Sequence, residues 1–102
     1  MKSQFMNLNI RYDAPQEVWD KVTLIYEKTE GWLGYDENGI PFWFSFDETE
    51  KYINASVEPS GLFFSGLMTD EDWADWALSI KEIATTILGY KVGELETGEV
   101  DF

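Results

Sequence analysis

Acidic side chains are the most plentiful chemical groups in this sequence, and they occur in clusters. The densest contains Asp70, Glu71, Asp72 and Asp75, and others lie at residues 36–37 and 47–50. Carboxylate oxygens are the ligands of Ca²⁺ and Mg²⁺, and a pair of carboxylates can hydrolyse a glycoside. The spacing does not match an EF-hand loop, however, and no pair stands out. Capping of a helix N-terminus and solvated turns explain these clusters better, and we predict no metal site.

Other catalytic groups are missing from the sequence. It contains neither Cys nor His. A Ser-His-Asp triad, an imidazole metal ligand, a cysteine nucleophile and a thiolate zinc site are therefore excluded. We expect a protein that is not an enzyme and needs no cofactor.

The net charge favours one class of partner. Seven basic residues against 20 acidic ones give a formal charge of −13. Such a charge repels nucleic acid and anionic lipid and accelerates the approach of a basic protein, although solubility alone could also explain it. No apolar run approaches the roughly 18 residues of a membrane span. The N-terminus has no apolar signal region, and together with the absence of Cys this favours a cytoplasmic protein.

Aromatic residues supply the candidate binding surface. Trp43 lies between Phe42 and Phe44, so if the phenylalanines are buried, Trp43 lies on the opposite, open face of its strand. The same alternation places Tyr52 and Phe63 there, among polar residues that include Arg11 and Asn54. Aromatic residues and Arg dominate binding hot spots. The predicted partner-binding residues, with two acids from the exposed face of the second helix, are Trp43, Tyr52, Phe63, Arg11, Asn54, Asp72 and Asp75.

Hydropathy periods predict the elements that carry these residues. Period-two alternation indicates strands over residues 5–12, 40–46, 52–58 and 62–65, and residues 32–35 could start a further extended stretch. A three/four spacing of apolar residues predicts one helix from Asp13, as N-cap, to about Glu30, and a second from Thr69 or Asp70 to Gly89. Tyr90 and Val92 would start a last strand.

This order, β-α-β-β-β-α-β, predicts a single α+β domain over residues 1–102. We expect a two-layer sandwich, with a largely antiparallel sheet and two helices on one face. The acidic tail, about residues 94–102, is expected to fray, although it or a loop could instead cover the open sheet face.

Several segments give the chain a general resemblance to a known class of proteins. They are residues 31–35, 40–44, 57–62 and the pair Trp73 and Trp76. In character the chain resembles the small acidic immunity proteins of bacterial polymorphic-toxin and contact-dependent growth inhibition systems. The resemblance implies an inhibitor that neutralises a basic toxin domain. We expect a monomer or a weak dimer. The alternatives are an oligomerising structural module and, less favoured, an enzyme that uses carboxylates or a divalent metal.

Overall fold

Five strands and two helices make up the fold in the computed structural model, which describes residues 1–101. In chain order they are β1 (Lys2–Leu8), α1 (Gln16–Lys28), β2 (Trp32–Tyr35), β3 (Pro41–Trp43), β4 (Tyr52–Glu58), β5 (Gly61–Met68) and α2 (Asp70–Leu88).

The strands form one antiparallel sheet with the order β1-β5-β4-β3-β2. Strands β2 to β5 follow one another as a meander, and residues 36–40, 44–51 and 59–60 connect each strand to the next. β1 joins the far side of β5, from Lys2 opposite Met68 to Leu8 opposite Leu62. The sheet therefore has β1 and β2 at its edges.

Both helices cover the same face of this sheet. Met6, Ile53 and Phe64 alternate toward that face and are buried in one apolar cluster with Val22 of α1 and Trp76 of α2, among others. The opposite sheet face has no helix against it. The predicted α+β fold, a two-layer sandwich with an antiparallel sheet, is confirmed.

The ends of the helices follow local chemistry. The Thr69 hydroxyl accepts a hydrogen bond from the backbone N–H of Asp72 (3.1 Å), and Gly89 closes α2 in the left-handed conformation, with φ 82°. The prediction that Asp13 caps α1 is wrong. Pro15 occupies the N-cap position without a side-chain bond, while the Asp13 carboxylate accepts a hydrogen bond from Arg11 at 3.1 Å.

The order of elements differs from the predicted one at two places. Residues 32–35 form the complete strand β2, and no strand follows α2 within residues 1–101. The backbone N–H of Val92 donates instead to the Thr85 hydroxyl (2.9 Å), so it is not available for a sheet ladder. One isolated bridge, between Leu8 and Glu94, joins the tail to the end of β1.

The acidic tail makes several contacts up to residue 99. The N–H of Leu95 donates to the carbonyl of Asn7 (2.9 Å), and the Glu99 carboxylate accepts from the N–H of Glu94 (2.8 Å) and from Lys81 (3.2 Å). These bonds hold the tail beside β1 and α2. The last residue of the predicted fraying segment, Phe102, lies outside the described residues.

Candidate protein interface on the open sheet face

The side of the sheet that faces away from the helices is called the open face here. Strand alternation and register decide which side chains lie on it. One row across the sheet joins Phe5, Ser65, Asn54 and Phe42, which are successive register partners. The further members on β1, β5 and β4 are Ser3, Asn7, Phe63, Leu67, Tyr52 and Ser56.

Two groups of aromatic rings flank the middle of the open face. Phe5 stacks on Phe63, with ring centroids 6.3 Å apart and an angle of 21° between the planes. On the other side Phe42 contacts Phe46 at 5.4 Å and Tyr52 at 6.2 Å. Phe5 is 58% exposed and Phe46 50% exposed, whereas Phe42 is buried beneath its neighbours. Apolar surface thus remains in contact with solvent on both sides of a polar centre.

The polar centre is a short hydrogen-bonded chain. The Ser65 hydroxyl donates to the Asn54 side-chain oxygen (2.9 Å), and the Asn54 amide nitrogen donates to the Glu48 carboxylate (3.2 Å). Glu48 therefore adds a negative charge to this face. Partial burial and, secondarily, the Glu48 carboxylate raise the pKa of the Tyr52 hydroxyl. Tyr52 therefore remains a neutral hydrogen-bonding group at neutral pH.

Three predicted interface residues lie on the open face: Tyr52, Phe63 and Asn54, all of them partly exposed. Two prominent aromatic residues were not predicted there. Phe5 and Asn7 are two residues apart in β1, so their side chains lie on the same face of the sheet. Alternation alone was therefore sufficient to place Phe5 on the open face. Phe46 lies beyond the end of β3, where no strand period applies, so its position could not follow from alternation.

The prediction that Trp43 lies on the open face is wrong. Trp43 is 0% exposed, pairs with Ile53 on the helix side, and contacts the ring of Trp76 at 5.3 Å. The prediction exchanged the two faces of β3. Three consecutive aromatic residues present apolar groups to both faces, so hydropathy does not show which face is buried. Phe42 lies on the open face, and Phe44 leaves the strand with φ 71°.

Arg11 does not join this surface either. β1 ends at Leu8 rather than continuing to residue 12, and exposed Arg11 forms an ion pair with Asp13 (3.1 Å) beyond the strand. The two neighbouring asparagines that alternation placed on a wet face are buried. Asn9 binds Lys91 and Gly93, which directly precede the tail, and Asn7 binds the carbonyl of Ser60 (2.9 Å).

Asp72 and Asp75 belong to the helix layer rather than to the open face. Asp72 forms an ion pair with Lys51 (3.3 Å), which directly precedes β4, and Asp75 is exposed in the next turn of α2. Within the same helix turn, Asp70 accepts from Lys2 and Gln4, and the Lys2 contact is the main reason that its pKa is lowered. The structure thus places Asp70 and Asp72 near one end of the sheet, close to the start of β1 and β4.

The part of the chain that the structure describes contains neither a candidate metal centre nor a candidate membrane span. Residues 1–101 contain no group of three or more Asp or Glu side chains arranged to hold a metal ion. None of the helices in that range is long and apolar enough to cross a membrane.

Known proteins provide no further guide to this surface. The comparisons find no matching family model, no matching curated protein and no matching solved structure. The case for a function therefore depends on the open face and on the charge of the molecule.

Proposed function

We propose that this chain is an acidic binding protein that neutralises a basic protein partner through the open face. More specifically, we propose an immunity protein that acts in the bacterial cytoplasm and blocks a cognate toxin. The observation that carries the proposal is the exposed aromatic surface around Phe5 and Phe46 on a sheet face that no helix covers.

The aromatic groups supply the binding energy in this proposal. Aromatic side chains are over-represented among the residues that dominate the binding energy of protein interfaces. Phe5 and Phe63 already stack, and Phe42 supports Phe46 from below. Their positions in the free protein are thus fixed by neighbours, so binding costs less side-chain entropy than ordering free rings would.

The charge selects the partner and accelerates its capture. The chain carries −13 overall, and Glu48 brings a carboxylate to the centre of the open face. A negative field of this size raises the association rate of a basic protein and slows that of an acidic one. Fast capture suits an inhibitor that must act before a toxin damages its host.

The experiment begins by identifying the partner through cross-linking in the source organism, and then uses both purified proteins. We expect a 1:1 complex in light scattering, and an association rate constant that falls as NaCl increases. Phe5→Ser should weaken the complex by about 1 kcal/mol or more. Leu78→Ser is the matched control, because Leu78 is 56% exposed on α2, compared with 58% for Phe5 on the open face.

Several results would overturn the proposal. Equal losses for Phe5→Ser and Leu78→Ser would remove the open face as the interface, and a salt-independent association rate would remove the electrostatic argument. A homodimer that Phe5→Ser dissociates would assign the face to self-association. A partner that does not arrest growth when expressed without this protein would exclude the immunity role while leaving the binding role in place.

A further inference from the structure

A second surface lies on the helix side of the sheet. A groove of about 440 Å³ runs between α1 and the strands β3 and β4. Trp19 and Tyr26 of α1 line one side, and Ile40, Pro41 and Val57 line the other. Val57 and Ile40 are half and one-third exposed, at 50% and 37%, so α1 leaves their apolar surface uncovered.

Tyr26 adds a buried tyrosine to the lining of this groove. The residue is 6% exposed, and its ring contacts Trp43, Trp32 and Phe64 edge-on or tilted. Its hydroxyl forms no hydrogen bond within residues 1–101, yet it is not sealed from solvent. Burial, and then the nearby phenol of Tyr35, raise the pKa of Tyr26, so the hydroxyl stays neutral and can accept a hydrogen bond from an occupant.

The charge at the groove is negative. Asp20 is the charged residue among the side chains that line it, and its carboxylate is held by Gln16 at 3.1 Å. The faces of Trp and Tyr rings also attract cations. The groove therefore combines an apolar wall, aromatic rings, a hydroxyl acceptor and a carboxylate, which together suit an occupant with an aliphatic stem and a positive end.

We propose that this groove binds the side chain of an arginine presented by another molecule. Its methylene stem would contact Ile40 and Val57, and its guanidinium would lie against the Trp19 and Tyr26 side of the groove, near Asp20. A guanidinium is planar, stacks on aromatic rings and is more weakly hydrated than an ammonium, so arginine fits better than lysine. The inference goes beyond the proposed function, because this site is on the other side of the sheet and does not require that the open face binds a protein.

The test is an NMR titration of the ¹⁵N-labelled protein with N-acetyl-L-arginine amide. We expect saturable shifts at millimolar concentration for the Trp19 indole N–H and the Ala55 and Val57 amides. The citrulline analogue has the same shape without the charge, and it should cause no saturable shift. Equal binding of citrulline would overturn the proposal, and equal binding of the lysine analogue would overturn the assignment to arginine.

Variants locate the binding groups. Asp20→Asn and Tyr26→Phe should each weaken arginine amide binding several-fold, while Asp75→Asn removes an exposed acid from α2 and should leave it unchanged. If Asp20→Asn and Asp75→Asn have equal effects, the shifts reflect the overall charge and the site is excluded. Unaltered amide spectra of each free variant show that the fold is intact.

Discussion

Trp43 and Trp76 are neighbouring tryptophans in the core with different hydrogen bonding. Their rings lie 5.3 Å apart, and both side chains are buried. The indole N–H of Trp76 donates to the carbonyl of Glu30 at 2.9 Å, whereas the indole N–H of Trp43 has no partner within residues 1–101. A buried donor without a partner costs about 1–3 kcal/mol. Burial of the Trp43 ring therefore stabilises the core, whereas burial of its unpaired N–H destabilises it.

The two residues should therefore respond differently to the same substitution. Trp43→Phe and Trp76→Phe remove equal volumes, but Trp43→Phe also removes the unpaired donor, and Trp76→Phe leaves the Glu30 carbonyl without its bond. We expect Trp76→Phe to lower the free energy of unfolding by roughly 1–3 kcal/mol more than Trp43→Phe. Urea unfolding, followed by circular dichroism, measures both values. A larger loss for Trp43→Phe would contradict this account.

At the scale of elements, side chains hold residues 91–99 in addition to the single backbone bridge between Leu8 and Glu94. The Asn9 amide donates to the carbonyl of Lys91 and accepts from the N–H of Gly93. Glu99 binds both the backbone N–H of Glu94 and the ammonium of Lys81. These contacts give the tail a fixed position beside β1 and α2.

Glu99 should make this attachment depend on pH. The N–H of Glu94 is the main cause that lowers the pKa of Glu99, and Lys81 adds to it. A group whose pKa is lower in the folded state stabilises the fold above its unfolded pKa, and that stability is lost as pH falls through the folded pKa. We expect wild type to be more stable than Glu99→Gln at neutral pH, and the difference to shrink under acid conditions.

Urea unfolding at a series of pH values checks this expectation. Glu96→Gln serves as the control, because it removes the same charge from an exposed position in the tail. Parallel pH curves for wild type and Glu99→Gln would show that the Glu99 carboxylate does not contribute through its charge.

The elements show where sequence reasoning succeeds and where it fails. α2 was predicted almost to the residue, because Thr69, a three/four apolar stripe and Gly89 all indicate the same helix. The side of Trp43 could not be predicted, since both of its neighbours are also aromatic. The last predicted strand is missing for a different reason. The backbone N–H groups of Val92 and Gly93 donate to the side chains of Thr85 and Asn9, which are distant in sequence, and a local pattern cannot show such bonds. On the open face, Tyr52, Phe63 and Asn54 followed from alternation, whereas Phe46 did not.

At the scale of the whole molecule, repulsion between like charges exceeds attraction. The net charge is −13, and the four ion pairs described within residues 1–101 are mostly at exposed positions. Exposed pairs contribute about 0–1 kcal/mol each. Folding brings the unbalanced carboxylates closer together, so the charge destabilises the compact state.

Moderate NaCl should therefore raise the melting temperature of the free protein. The Debye length is about 10 Å at 0.1 M salt, so most of the repulsion is screened at that concentration. A gain of about 1 kcal/mol would appear as roughly 4–8 °C. Differential scanning calorimetry measures the shift. The triple variant Glu27→Gln, Glu37→Gln, Glu50→Gln removes exposed charges and should show a smaller dependence on salt. A melting temperature that falls with salt would show that attraction dominates.

The position of β1 in the sheet has a consequence for the order of events during folding. Its strand partner is β5, so Lys2 must meet Met68 before this edge of the sheet exists. The meander from β2 to β5 needs only short loop closures, which are fast and cost little chain entropy. During synthesis, β1 therefore stays without its partner strand until residues 61–68 have been made, although β1 itself is made before β2 to β5.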